Sequence, residues 1–193
     1  MDQVSRLKTY KNRAFTVEEA AKKGVQAFAL VYLARSGQLK RLAHGLYAFP
    51  DYAPTDLSET IADFLKVIPQ AVVGLDSALQ IYNLADQLVE EITLIVPGHN
   101  VPKRRLEGVK YHQLTKNFDK LELQKVSKLP VTSINQTIVD LLKAGRPLSV
   151  VVDIFHQAQG RKDLNLSISK IKNLAGVFRA KARIKVFLEA IGS

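Results

Sequence analysis

Between positions 26 and 44 the chain gathers an amide, a phenol, two guanidinium groups, an ammonium and an imidazole, carried by Gln26, Tyr32, Arg35, Lys40, Arg41 and His44. Each can donate a hydrogen bond, and no acidic residue interrupts the stretch. Arg and Lys pair with phosphate, whereas Gln, Tyr and Arg also reach base edges, so the chemistry implied is recognition of a polyanion. Covalent chemistry finds less support. The absence of cysteine removes thiolate zinc sites and thiol nucleophiles. His44, His99, His112 and His156 are scattered, with no pair at the i, i+4 spacing of a helical metal site. His44 has no carboxylate near it in sequence and reads as a polar turn residue rather than a base. Asp86, Glu90 and Glu91 cluster, and Glu107 with Lys110 resembles a nuclease pair, yet Glu-x-x-Lys puts the two side chains on opposite faces of a strand. Walker and dinucleotide motifs are missing. The expectation is a non-enzyme with no catalytic residue, metal or cofactor.

A helix-turn-helix and a hairpin would position the six groups. Thr16 followed by Glu19 is a capping box that starts a helix at Val17, and Gly24 can end it in the left-handed conformation. A second helix runs from about Gln26 to Ser36, with Leu30 and Ala34 toward a core. Phe28, Tyr32 and Arg35 then fall on the far side, and Gln26, Ala27 and Ala29 near the end that reaches bases in such motifs. Phe28 is expected to pack under a third helix, Val4 to Arg13. Tyr32 and Arg35 suit either packing there or contact with a phosphate or base. After Gly37, Leu39–Ala43 and Leu46–Phe49 read as strands around a His44-Gly45 turn with positive backbone angles, so Lys40, Arg41 and His44 line a wing.

The charge distribution agrees. Residues 1–50 hold 9 Lys/Arg against 3 Asp/Glu, residues 51–159 hold 11 against 13, and residues 160–193 hold 8 against 2. Two basic ends around a balanced middle suggest two surfaces that meet a polyanion, a solvated basic surface being the plainer alternative. With 47% apolar and 24% charged residues the 193-residue chain is globular, of one large or two small domains. No apolar run approaches the ~18 residues of a membrane span, and the first residues lack a signal-like segment. A cytoplasmic location without membrane partners is expected.

Pro50 to Pro54 reads as a linker, which divides the chain into residues 1–50 and 51–193. The second part offers a helix over 58–68, strands over 71–74, 92–96, 108–113 and 126–131, and a short helix capped by Asp76. A mixed sheet with covering helices is the economical arrangement. Asn100, Lys103, Arg104 and Arg105 read as a basic loop at the sheet edge. Thr132 or Ser133 caps a helix with Ile134, Ile138, Leu141 and Leu142 on its apolar face. Helices over 148–157, 167–174 and 177–191 complete the chain. In the last, Val177, Ala180, Ile184, Phe187, Leu188 and Ile191 form one stripe. Arg179 and Arg183 flank it on one side, Lys181 and Lys185 on the other, and both flanks can grip a phosphate backbone or simply face solvent. The fold class is therefore α+β: an N-terminal winged helix-turn-helix, then a mixed α/β domain ending in helices.

The wing, Arg-Ser-Gly-Gln-Leu-Lys-Arg-Leu-Ala-His-Gly-Leu-Tyr at 35–47, and the stretch Leu129–Leu142, with its Pro-Val-Thr-Ser entry and Asp-Leu-Leu exit, together resemble the AbiEi family of antitoxins over about residues 5–145. The resemblance implies a type IV antitoxin of an abortive-infection system that represses its own operon by binding inverted repeats. Its toxin would be a nucleotidyltransferase-like enzyme, countered without a stable complex. The DNA-binding role would fall on Gln26, Ala27, Tyr32, Arg35, Lys40, Arg41 and His44. An antitoxin acting by direct protein–protein inhibition, and a metal-dependent nuclease, stand as alternatives.

Overall fold

The structure is a computed structural model that describes residues 2–84, 90–98, 101 and 106–192, arranged as two units. The first unit runs to Gln70 and takes in residues 106 and 107. Asp2 accepts a hydrogen bond from Val4 N to start α1 (Gln3–Leu7), which gives way to a 3-10 turn, Lys8–Tyr10, in place of the helix expected to reach Arg13. A two-residue strand, β1 (Phe15–Thr16), leads into α2 (Val17–Lys22), and α3 (Ala27–Arg35) follows. Next come β2 (Lys40–Ala43), β3 (Leu46–Ala48) and α4 (Leu57–Leu65).

The capping box is complete: Glu19 N donates to Thr16 Oγ1 at 3.2 Å, and Thr16 N donates to Glu19 Oε2 at 2.8 Å. Burial opposes ionisation of Glu19, but the Arg13 guanidinium and the Thr16 N–H outweigh it and hold the carboxyl below its usual range. Leu7, Phe15, Leu30, Leu33, Leu39 and Tyr47 close the core beneath the helix pair. The three strands pair antiparallel in the order β1-β3-β2. Ala43 pairs with Leu46, so His44 and Gly45 form the two-residue turn expected, but only Gly45 takes a positive φ, +82°, and the ladder carries a register shift between Arg41 and Ala43.

The expected boundary at Pro50 falls inside this unit. Tyr52 is buried and donates to Asp63 Oδ2 of α4 at 2.7 Å, while Lys66 Nζ bridges Asp63 Oδ1 at 2.6 Å and the Ala14 carbonyl at 2.9 Å. Phe64 and Val67 pack on Ala14, Leu46, Ala48 and Tyr52, so residues after the Pro-rich stretch wall the hairpin.

The second unit holds β4 (Val72–Val73), α5 (Leu75–Ile81), β5 (Ile92–Pro97), β6 (Val109–Leu114), β7 (Leu123–Val126), β8 (Leu129–Thr132), α6 (Ile134–Ala144), α7 (Leu148–Gln159), α8 (Ile168–Val177) and α9 (Lys181–Ala190). Its mixed sheet has the order β6-β5-β4-β8-β7, with β5/β6 and β4/β8 parallel. Gly74, not Asp76, is the N-cap of α5. The strand expected over 126–131 is two strands, reversed at Ser127 and Lys128, both at positive φ.

Every residue of α6 from Ile134 to Leu142 is buried, including four polar ones. Ser133 is the N-cap and accepts from Gln136 N at 3.2 Å. Thr137 Oγ1 donates to the Ser133 carbonyl at 2.8 Å, Asn135 Nδ2 to Glu122 Oε1 at 3.0 Å, and Gln136 Nε2 to Asp140 Oδ1 at 2.9 Å. The helix expected over 177–191 is broken. Phe178 is buried, Arg179 turns left-handed at φ +57°, and Ala180 N donates to the Ala175 carbonyl, so α8 and α9 fold as a pair. Val177 drops out of the apolar stripe and is exposed, whereas Ala180, Ile184 and Phe187 are buried.

Candidate nucleic-acid interface

The core side of α3 is Ala29, Leu30 and Leu33. At 100° per residue the opposite side carries Phe28, Tyr32 and Arg35, and all three are exposed. Phe28 is 75% exposed and Tyr32 69%, the two highest values for large hydrophobics among the described residues. Phe28 is therefore not core, contrary to expectation: α1 ends at Leu7 and lies on the Leu30 side, so nothing from it reaches over Phe28. The angular spacing itself was the signal, since it put Phe28 beside Tyr32 and Arg35. Gln26 is the N-cap residue of α3 and Ala27 its first residue, both exposed, and Gln26 makes no side-chain capping bond. No acidic residue lies in α3.

On the wing, Arg41 is exposed, with its guanidinium 6.0 Å from the Tyr47 ring centroid and Nη2 at 2.7 Å from His44 Nδ1. Arginine only donates, so Nδ1 accepts and the ring proton sits on Nε2. Arg41 Nε also donates to the Ala43 carbonyl at 3.3 Å. Lys40 is half-buried; its ammonium donates to the Tyr52 carbonyl and lies 5.7 Å from the Tyr52 ring centroid. Of the wing residues, Arg41 and His44 present their heads at the surface, while Lys40 ties β2 to the segment behind it.

In the second unit, Arg183 Nη1 donates to the Leu142 carbonyl at 3.0 Å, satisfying an acceptor at the C-terminal end of α6. Lys181 and Lys185 lie one turn apart on α9 and share a shallow groove with Lys172 of α8, over Ala175, Ile184 and Leu188. Arg179, exposed in the turn before α9, belongs to neither helix. The basic flanks read from sequence thus separate into a lysine cluster and an arginine engaged with a helix end.

Among the described residues no group of three or more His, Asp or Glu side chains could hold a metal. His112 is half-buried on β6, and burial, then Lys143 and Lys110, pushes its pKa down. His156 pairs with Gln159 at 3.0 Å. Glu107 and Lys110 are both exposed, with Glu107 in the turn before β6. Asp86, His99, Asn100, Lys103, Arg104 and Arg105 lie outside the described residues. No helix among the described residues is long and apolar enough to cross a membrane.

A short helix pair, a two-stranded wing and a third strand closing its sheet define the first unit as a winged helix-turn-helix. Residues 11–50 match the family model described as transcriptional regulator, AbiEi antitoxin. This is the family resembled at the wing; the Leu129–Leu142 stretch lies beyond the match. The whole fold is similar to the crystal structure of the RV2827C protein from Mycobacterium tuberculosis, with a TM-score of 0.69 and 17% identity, covering 98% of this chain and 76% of that one. At that identity the likeness is one of fold. No curated protein matches the chain by sequence.

Proposed function

We propose that this protein is a DNA-binding autorepressor and the antitoxin of a type IV toxin–antitoxin pair, acting in the cytoplasm on inverted repeats in its own promoter. The carrying observation is the outward face of α3, aromatic and basic without an acid, on a winged helix whose sequence matches an antitoxin transcriptional-regulator family. In this reading Gln26, Ala27 and Tyr32 meet base edges and Arg35 a phosphate. Arg41 and His44 follow the adjacent backbone, with Lys40 holding the wing from behind. Lys181 and Lys185, with Arg179 near them, add a second cationic contact, and Arg183 shapes the end of α6 beneath it. The domain division follows the two units, reading head first and antitoxin activity in the second.

Fluorescence anisotropy tests the DNA arm. A duplex from upstream of the protein's own reading frame should bind more tightly than a shuffled duplex, with affinity falling steeply between 50 and 200 mM salt as phosphate contacts release counterions, roughly 0.9 in log–log slope per contact. Equal affinity for the two duplexes opposes the reading. Co-expression with the neighbouring gene product tests the antitoxin arm: restored growth is expected, with the two proteins eluting separately on gel filtration. A complex that survives gel filtration favours direct protein–protein inhibition instead.

A further inference from the structure

We infer that Phe28 reads the C5-methyl group of a thymine in the major groove, and so sets a base preference at one position of the bound duplex. This rests on the proposed DNA binding and goes further by naming a base and the side chain that selects it. A single exposed apolar residue is ordinary on a protein surface. Phe28 and Tyr32 are different: among the described residues they are the most exposed large hydrophobics, they stand one turn apart, and Arg35 continues the same face.

Phe28 is the second residue of α3, and the N-terminal end of a recognition helix is the part that reaches base edges. A phenyl ring can neither donate nor accept a conventional hydrogen bond. Against guanine, cytosine or adenine edges it would displace water from N7, O6, N4 or N6 without replacing the lost bonds. The thymine methyl is the apolar group that a major-groove base edge offers, so contact there buries two apolar surfaces together. Selection thus has two sources, the gain at thymine and the penalty at the other bases. Charge favours DNA over a protein partner as the occupant of this face. Residues 1–50 carry 9 basic against 3 acidic side chains, and α3 has no acid.

The test begins with selection from a random duplex pool by the wild type and by Phe28→Ala, whose exposed site makes the variant's thermal unfolding a direct check of its fold. The wild type should enrich thymine at one position that Phe28→Ala relaxes, with preferences elsewhere unchanged. Replacing that thymine by deoxyuridine, which deletes only the methyl, should weaken wild-type binding about fourfold, the worth of one buried methyl-sized group. The same replacement should leave the affinity of Phe28→Ala unchanged. Equal sensitivity of both proteins to deoxyuridine, or no thymine enrichment, overturns the inference while sequence-selective DNA binding stands. Failure to bind any duplex overturns the DNA-binding reading as well. If Phe28→Ala changes the sedimentation coefficient from dimer to monomer and leaves base preference intact, the aromatic face is a self-association surface and the inference falls.

Discussion

Asp140→Asn should make the protein more stable above neutral pH and almost remove one component of its pH dependence. Asp140 lies on α6, 8% exposed, where Oδ1 accepts from Gln136 and Oδ2 is buried with no hydrogen-bond partner among the described residues. Burial pushes its pKa from 3.8 up to about 7, against smaller opposing effects of the Gln136 bond and the Lys143 charge. A carboxyl whose pKa is higher folded than unfolded holds its proton more tightly in the folded state. Its favourable contribution is therefore complete below about pH 4 and is lost as pH rises through about 7. At 1.36 kcal/mol per pH unit the full swing is about 4 kcal/mol, an upper figure that local relaxation reduces. Asn keeps an oxygen for Gln136 and cannot ionise. Urea unfolding of both proteins at pH 5 and pH 8 should show the variant gaining up to about 2.6 kcal/mol relative to wild type at the higher pH, since part of the swing already lies below pH 5. Glu19, Glu59 and Asp163, all with lowered pKa values, titrate below this window, and His112 contributes equally to both proteins. A stability difference that is the same at both pH values refutes the reasoning.

Charge removal should sort the remaining cations by role. Arg35→Gln and Arg41→Gln are each expected to lower the salt slope of promoter binding by about one while leaving urea midpoints unchanged. Lys40→Gln, which loses the bond to the Tyr52 carbonyl, should instead cost about 1 kcal/mol of stability. Thr16→Ala removes half of the capping box and should destabilise the first unit by about 1 kcal/mol, read from thermal unfolding. Arg183→Gln should cost about 1 kcal/mol of stability with DNA affinity preserved, the reverse of Lys181→Gln with Lys185→Gln. An affinity loss in Arg183→Gln without a stability loss would place that guanidinium on DNA.

Local signals carried far in this sequence. Thr16 and Glu19 announced α2, Gly24 and Gly37 bounded the helix pair, and Ser133 was one of two candidate caps for α6, because a cap needs only its own side chain and the next turn. What depended on distant partners was not legible. Phe28 was misplaced because its environment depends on how far α1 extends, and β1 was missed because two residues become a strand only by pairing with Leu46 and Tyr47. The break at Arg179 escaped because the apolar spacing continues through it. Amphipathic reasoning found Ile134, Ile138, Leu141 and Leu142 but could not show that Asn135, Gln136, Thr137 and Asp140 are buried too, since their hydrogen-bond partners come from other elements or from the next helical turn. For the proposed interface, the exposure of Gln26, Tyr32, Arg35, Arg41 and His44 was legible from type and spacing. The engagement of Lys40 and Arg183 with carbonyls 12 and 41 residues away was not.

Thr16 belongs at once to the sheet and to the start of α2, and the next amide, Val17 N, donates to the Gly45 carbonyl at the wing tip at 3.1 Å. The hairpin end is thereby latched to the start of α2, which fixes the wing tip against the helix pair. Under the proposed DNA binding, little freedom would remain to be surrendered on docking, so the fit would fall on the nucleic acid, and sites whose groove already has the matching width, or bends cheaply to it, would be held longest.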